Sequence, residues 1–213
     1  MAVTLDELVV ADSPESWEAC GFRVEDGLCV LGDVRIQFVA EEGRGLIRWS
    51  LRGADSVELD GLPTVLSAQA PPDEAPRHPN GVTSLDHVVA ISSDLDRTVA
   101  ALGAAGLDLR RIREDPTPAG APRQAFFRLG ATILEVVQEP PEATERHGGD
   151  RPAFFWGLAL TAPELEETVE FLGDRVSEIR DAVQPGRQIA TLRRSAGLSV
   201  PAALITPPPG GEK

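Results

Sequence analysis

Residues 85–102, "LDHVVAISSDLDRTVAAL", join a strand pattern to a helix pattern, and the combination recurs later in the chain. Residues 155–172, "FWGLALTAPELEETVEFL", align with them without a gap. The apolar and threonine positions that recur at helical spacing are Leu95, Thr98, Val99 and Leu102 in the first copy and Leu165, Thr168, Val169 and Leu172 in the second. Such spacing places one apolar stripe on each helix. We therefore predict helices over 94–105 and 163–173, each preceded by a strand.

Each predicted helix is followed by a segment that resembles paired strands. Residues 123–137 form two strand patterns around Gly130, and residues 187–205 form two around Gly197. Glycine between two strand patterns is typical of a tight turn. Each copy is therefore predicted to contain a strand, a helix and about three further strands, which is a βαβββ unit.

A weaker copy opens the chain. Residues 5–13, "LDELVVADS", match the start of the quoted stretch, and residues 31–41 match residues 129–139. Residues 45–53 supply one more strand pattern, but the Pro-rich segment 67–81 follows in place of a complete unit. Proline removes backbone donors and disfavours helix, so we expect this segment to be extended and exposed.

These repeats predict an α+β fold of tandem βαβββ units that form paired, curved mixed sheets, with the first pair truncated. The predicted organisation is a degenerate N-terminal unit plus one extra strand (1–66), the linker (67–81), a domain of two units (82–207, divided into 82–140 and 152–207) and a tail (208–213).

Composition excludes several classes of partner. The net charge is −14 and the pI is about 4.6, so the surface repels phosphate backbones and anionic lipid. We find no apolar stretch of ~20 residues, no secretory signal and no glycine-rich phosphate-binding loop. Two cysteines without a C-x-x-C spacing fit a reducing cytoplasm. We therefore expect no nucleic-acid and no membrane partner.

Paired βαβββ units, one of which opens on "LDHVV" and closes on "ILEVV" (133–137), resemble the vicinal oxygen chelate superfamily. This superfamily includes glyoxalase I, extradiol dioxygenases and bleomycin-sequestering proteins. The resemblance covers 82–207 well and 3–66 in degenerate form. It implies a glyoxalase-like fold that binds or acts on a small molecule in a cup between units. Where a metal site is complete, it implies lyase, isomerase or dioxygenase-like activity. The alternative is a metal-free binding or sequestering protein. The protein could also form a homodimer.

The superfamily builds its metal site from one residue on the first strand and one on the last strand of two paired units. Carried onto this sequence, the resemblance makes His87 and Glu135 candidate ligands, with Glu135 also the candidate catalytic proton carrier. Imidazole and carboxylate suit Mn²⁺, Fe²⁺, Ni²⁺ or Zn²⁺. The last unit has Gly157, and Ala203 or Leu204, at the matching positions. Two of the four ligands are therefore missing there.

Glu7 and Gln37 occupy the matching positions of the first unit. They would complete the ligand set if that unit faced the 82–140 unit, although pairing of the adjacent full-length units is the simpler expectation. The structural alternative for His87 is a half-buried strand histidine that hydrogen-bonds Glu135. For Glu7 and Gln37 the alternative is an exposed strand position.

The remaining candidates concern the substrate. Trp156 and Phe127 belong to an aromatic cluster whose alternate members can line the cup, although most of the cluster is expected in the core. Arg123 and Arg187 lie at equivalent strand starts, where a guanidinium can hold a substrate carboxylate or simply face solvent. His78 precedes Pro-Asn-Gly, which favours a turn.

Overall fold

The computed structural model describes residues 2–39, 43–117 and 120–209. The strands are β1 (Thr4–Val10), β2 (Leu28–Leu31), β3 (Val34–Phe38), β4 (Leu46–Arg52), β5 (Thr64–Ser67), β6 (Ser84–Ser92), β7 (Asp108–Arg113), β8 (Gln124–Leu129), β9 (Thr132–Gln138), β10 (Phe154–Thr161), β11 (Arg180–Asp181), β12 (Gln188–Thr191) and β13 (Ala202–Ile205). The helices are α1 (Pro14–Ala19), α2 (Leu95–Ala104), α3 (Pro141–Arg146) and α4 (Leu165–Leu172). Most of the predicted tail, residues 210–213, lies outside the described residues.

The two helices that the repeat predicts are α2 and α4, and both are confirmed. The Asp94 side chain caps α2, because its Oδ1 accepts a hydrogen bond from the Arg97 N–H at 3.0 Å. Gly173 ends α4 with φ of 58°, a conformation that glycine adopts without steric cost. The residues buried by the two helices correspond position for position: Leu95, Thr98 and Leu102, and Leu165, Thr168 and Leu172.

The larger sheet confirms the βαβββ organisation. Its strand order is β11-β12-β13-β10-β6-β9-β8-β7. In the central repeat (82–140) the first strand, β6, pairs in parallel with the last, β9, while β8 pairs antiparallel with β9 and β7. In the C-terminal repeat (152–207), β10 likewise pairs in parallel with β13. Parallel pairing of first and last strands brings residues from both ends of a repeat onto one sheet face.

The smaller sheet has the strand order β2-β3-β1-β4-β5. The sequence predicts one strand after the first unit, and in the structure both β4 and β5 follow it, with Trp49 opposite Thr64 in a parallel pair. At four residues and close to several prolines, β5 is too short to show an alternating pattern. The reduced second unit therefore keeps a parallel pair of strands.

The Pro-rich linker carries no helix or strand over residues 68–83, within the described stretch 43–117. His78 is nevertheless only 6% exposed, which corrects the expectation of full exposure. Its Nδ1 accepts from the Arg23 N–H at 3.0 Å and its Nε2 donates to the Val30 carbonyl at 2.9 Å. Burial lowers the pKa of His78, which favours the neutral ring. The predicted turn forms through Gly81 N–H and the His78 carbonyl at 3.0 Å.

The chain divides into two compact units, and the domain boundaries given from the sequence stay a prediction. The first takes the described residues within 1–7, 48–70 and 87–156, and the second takes those within 8–47, 71–86 and 157–213. The first unit thus contains β5, α2, β7–β9 and α3 together with most of β1, β4 and β6. Among the described residues, no helix has the length and apolar character that crossing a membrane requires.

One face of the central repeat is core. α2 contacts β7, β8 and β9, and Phe127, Leu134 and Val136 are at most 1% exposed. Because side chains alternate along a strand, Phe126 and Glu135 lie on the opposite face of these strands. That second face is where the candidate site is found.

Candidate functional site

His87 and Glu135 meet on adjacent parallel strands. Val89 on β6 lies opposite Glu135 on β9, and His87 precedes Val89 by two residues, so both side chains share a face. His87 Nε2 lies 3.5 Å from Glu135 Oε2, and the two side chains are 20% and 16% exposed. The predicted convergence of these two residues is confirmed.

Gln124, on β8, completes the surroundings of the carboxylate. Its Nε2 donates a hydrogen bond to Glu135 Oε1. Gln124 is 6% exposed, and among the described residues its Oε1 has no hydrogen-bond partner. Phe126 lies directly opposite Glu135. We call the surface formed by His87, Gln124, Phe126 and Glu135 the polar sheet face.

Two arginines of β7 reach the same surface because of an irregularity in the strand. The register between β7 and β8 shifts between Leu109 and Arg111, which is a β-bulge. A bulge inserts one residue and changes which side chains share a face. As a result, Arg111 lies opposite Phe126 and Arg113 lies opposite Gln124. The Arg111 guanidinium carbon is 4.7 Å from the centroid of the Phe126 ring.

The electrostatic surroundings of Glu135 alter its acidity. Burial raises the pKa of the carboxyl, while the charge of His87, the hydrogen bond from Gln124 and the charges of Arg111 and Arg113 act in the opposite direction. Burial has the larger effect. Glu135 therefore holds its proton to a higher pH than an ordinary glutamate, and such a shift marks a candidate acid or base.

The aromatic residues predicted to line the site are placed differently from expectation. Phe127 is fully buried and lies on the α2 side of the sheet, and its role in ligand binding stays a prediction. Its neighbour Phe126 lies on the polar sheet face instead. Trp156, at the start of β10, is 52% exposed, and its role in ligand binding stays a prediction. Gln124 and Arg111 are not among the site residues that the sequence predicts.

The two arginines predicted to hold a substrate carboxylate are engaged by the protein itself. Arg123 forms ion pairs with Asp96 at 3.0 Å and with Glu114 at 2.9 Å. Arg187 is 4% exposed and pairs with Asp86. Their role in ligand binding stays a prediction.

The predicted metal ligands besides His87 and Glu135 are Glu7 and Gln37. Glu7 is half-buried on β1, and Gln37 on β3 donates to two backbone carbonyl oxygens, at 3.0 and 3.1 Å. Among the described residues, no group of three or more histidine, cysteine, aspartate or glutamate side chains is placed to hold a metal ion. His87 and Glu135 supply two ligands, whereas a zinc site takes four. His87 and Glu135 alone do not make up a divalent-metal site, and the four-ligand set with Glu7 and Gln37 stays a prediction.

Comparison with known proteins gives a fold and no family. No family model matches the chain, and no curated protein matches it significantly. A xylose isomerase-like TIM barrel/4-hydroxyphenylpyruvate dioxygenase fusion protein matches with a TM-score of 0.61 and 12% identity, over 99% of this chain and 49% of that one. Methylmalonyl-CoA epimerase from Mycobacterium tuberculosis matches with a TM-score of 0.49 and 19% identity, over 61% of this chain and 91% of that one. A variant of the Streptomyces coelicolor epimerase in complex with 2-nitronate-propionyl-CoA matches with a TM-score of 0.47 and 20% identity, over 59% and 94%.

The match that spans nearly the whole chain decides the fold. This chain covers about half the length of the fusion protein, and the low identity speaks for shared architecture alone. Together with the parallel pairing of first and last strands, it shows that the chain has a glyoxalase-like fold.

Proposed function

We propose that this protein binds a small organic molecule on the polar sheet face and that Glu135 exchanges a proton with it. The observation that carries the proposal is the environment of Glu135. Its carboxyl is mostly buried on a sheet, has a raised pKa, and meets an imidazole on one side and an amide on the other. A carboxyl whose pKa moves toward neutrality serves as a general acid or base in water.

Each neighbour has a distinct part in that chemistry. Gln124 donates a hydrogen bond to Glu135 Oε1, and Glu135 Oε2 lies on the side of His87. When Glu135 gives up its proton, the imidazole at 3.5 Å stabilises the charge that forms. A positioned acid or base of this kind typically accelerates a proton transfer by about 10²- to 10⁴-fold.

A purely structural ion pair accounts less well for the arrangement. A buried acceptor without a donor costs about 1–3 kcal/mol, and Gln124 Oε1 is such an acceptor among the described residues. A donor group on a bound molecule would satisfy it. The distance of 3.5 Å between His87 and Glu135 is also longer than that of a strong hydrogen bond.

No step in this proposal uses a metal ion. Elemental analysis of protein purified without a His tag is expected to find manganese, iron, nickel and zinc well below one equivalent. One equivalent of any of them, lost in His87→Ala, would overturn the metal-free form of the proposal.

Deuterium exchange followed by NMR tests the proton transfer directly. The probes are 2-oxobutyrate, 2-oxobutanamide, acetoacetate and acetoacetamide, each of which carries exchangeable protons next to a carbonyl group. In D₂O we expect the wild-type protein to accelerate loss of these proton signals for at least one probe. Glu135→Gln should reduce this acceleration at least ~100-fold, because the amide cannot exchange a proton.

The matched control is Glu145→Gln, which removes the same charge from an exposed position in α3. It is expected to behave as wild type. Equal exchange with wild-type protein, Glu135→Gln and buffer for all four probes would contradict the proposed function.

A further inference from the structure

We propose that the molecule bound on the polar sheet face is a small organic anion and that Arg111 and Arg113 hold its charged group. This inference rests on the proposed function and adds the chemical class of the ligand. It starts from the sequence "LRRIR" (109–113), in which three arginines of one strand have different surroundings.

The β7 bulge separates these arginines. Arg110, the residue that the bulge inserts, is left without an opposite partner on β8 and pairs with Asp108 at 3.1 Å, where both side chains are about 60% exposed. Arg111 and Arg113 are directed to the polar sheet face by their register. Bulges are frequent next to functional sites because they redirect side chains in this way.

The two redirected arginines are not neutralised by a dedicated carboxylate. Among the residues that the structure describes, neither Arg111 nor Arg113 forms an ion pair, while the adjacent Glu114 pairs with Arg123 instead. The carboxyl group that lies across the same surface from them is that of Glu135. Two guanidinium groups thus face one carboxyl on this surface.

The polar sheet face therefore carries excess positive charge in a chain whose net charge is −14. Because acidic groups dominate the rest of the protein, a local surplus of this sign is not a by-product of composition. Guanidinium groups bind carboxylate and phosphate oxygens through paired hydrogen bonds. An anionic ligand would supply the negative charge that balances Arg111 and Arg113.

The spacing of the strands sets the size of the ligand. Arg111, Phe126 and Glu135 lie opposite one another on three neighbouring strands, so Arg111 and Glu135 are about two strand spacings, roughly 10 Å, apart at the backbone. An arginine side chain spans much of that distance. The ligand would therefore place its anionic group at Arg111 and Arg113 and its exchangeable proton near Glu135, with Phe126 beneath it.

Binding of matched acids and amides tests this inference. The dissociation constants of acetoacetate, acetoacetamide and acetonylphosphonate are measured by NMR titration at low salt with wild-type protein, Arg111→Gln, Arg113→Gln and the control Arg110→Gln. We expect acetoacetate to bind at least about tenfold more tightly than acetoacetamide, since a charge-assisted pair contributes that much or more. Arg111→Gln and Arg113→Gln should each weaken acetoacetate about tenfold and leave acetoacetamide unchanged, whereas Arg110→Gln should change neither.

The outcomes separate this inference from the proposed function. Three results would overturn the inference that the ligand is an anion: equal affinity for acetoacetate and acetoacetamide, no binding of acetoacetate or acetonylphosphonate, or unchanged acetoacetate affinity in both Arg111→Gln and Arg113→Gln. In each case, Glu135-dependent exchange on the amides would leave the proposed function standing. Tighter binding of acetonylphosphonate than of acetoacetate would support the inference and assign the ligand to the phosphate class, and the reverse would support it and assign the ligand to the carboxylates. If Arg110→Gln weakened acetoacetate binding as much as Arg111→Gln does, the effect would come from general surface charge, and the inference would be overturned.

Discussion

The central and C-terminal repeats have the same scaffold, but only the central one carries a polar pair. In the central repeat, His87 and Glu135 converge on the first and last strands. In the C-terminal repeat the register that places Ala159 opposite Ala203 corresponds to the one that places Val89 opposite Glu135. Ala203, and not Leu204, is therefore the counterpart of Glu135.

The counterpart of His87 shows why the C-terminal repeat cannot hold such a pair. A Cβ atom on Gly157 would lie 2.7 Å from the Pro201 carbonyl oxygen, which leaves no room for any side chain. The scaffold needs parallel strands and one apolar helix stripe, and both repeats supply these. The scaffold does not require the polar pair, because the C-terminal repeat does without it. This difference supports a functional reading of the central repeat.

The largest expected effect distinguishes the two faces of the central repeat. Phe127→Ala should lower the free energy of unfolding by about 3–5 kcal/mol, because it removes a fully buried ring from beneath α2. Phe126→Ala should cost much less stability but should weaken acetoacetate binding, because Phe126 lies on the polar sheet face. Urea unfolding and NMR titration of both variants check this. The reverse pattern would show that the faces have been assigned incorrectly.

A second substitution tests the difference between the repeats. Gly157→Ala should destabilise the protein by about 1–3 kcal/mol, because the new methyl group would clash with the carbonyl oxygen of Pro201, just before β13. Gly103→Ala is the control, since nothing lies within 4 Å of its Cβ position in α2, and alanine there should stabilise by about 0.5–1 kcal/mol. Thermal unfolding measures both. Tolerance of Gly157→Ala would show that the C-terminal slot is open after all.

The pairing of His87 with Glu135 was predictable from the sequence because it depends on two robust features. The repeat identifies the first and last strands, and alternation with period two then selects the face. The helices α2 and α4 were predictable for the same reason, since each has an unbroken apolar stripe. The adjacency of the first and last strands, which brings His87 and Glu135 together, followed from the resemblance and not from the residue pattern.

The rest of the site was not predictable, for identifiable reasons. In β8, "QAFFRL", both faces carry aromatic or apolar residues, so the sequence could not show that Phe126 rather than Phe127 faces the site. The arginines of β7 have their orientation only because of a bulge, and a bulge leaves no signature in the alternation of "DLRRIR". His78 gave no sign of burial, because its partners are backbone groups of a distant segment.

The pH dependence of stability tests the state of Glu135. Burial raises its pKa in the folded protein above the ordinary value of 4.5, so the folded state binds the proton more tightly than the unfolded state. Stability from this group is complete below pH 4.5 and is lost as the pH rises through the folded pKa, by about 1.4 kcal/mol per unit of difference. Glu135→Gln removes this loss. Urea unfolding from pH 4 to pH 8 should show the variant gaining stability relative to wild type as the pH rises, and the opposite slope would contradict a raised pKa.

The smallest expected effect concerns Arg110. Its pairing with Asp108 is exposed, so Arg110→Gln should change the free energy of unfolding by less than about 0.5 kcal/mol. The comparison with Arg111→Gln matters more than the value itself. Both variants lose one positive charge from β7, and only Arg111→Gln should also alter the pH at which Glu135 titrates. Carbon-13 NMR of the glutamate carboxyl groups measures this, and identical titration curves in the two variants would contradict the placement of Arg111.

Chemical-shift mapping of the labelled protein tests the central claim most directly. Acetoacetate is added to wild-type protein while the Gln124 side-chain amide, the Glu135 carboxyl carbon and the Ala203 methyl group are followed. The account predicts shifts at Gln124 and Glu135 that saturate together, with Ala203 unchanged. Saturating shifts at Ala203, with Gln124 and Glu135 unchanged, would place the ligand in the C-terminal repeat and contradict the account.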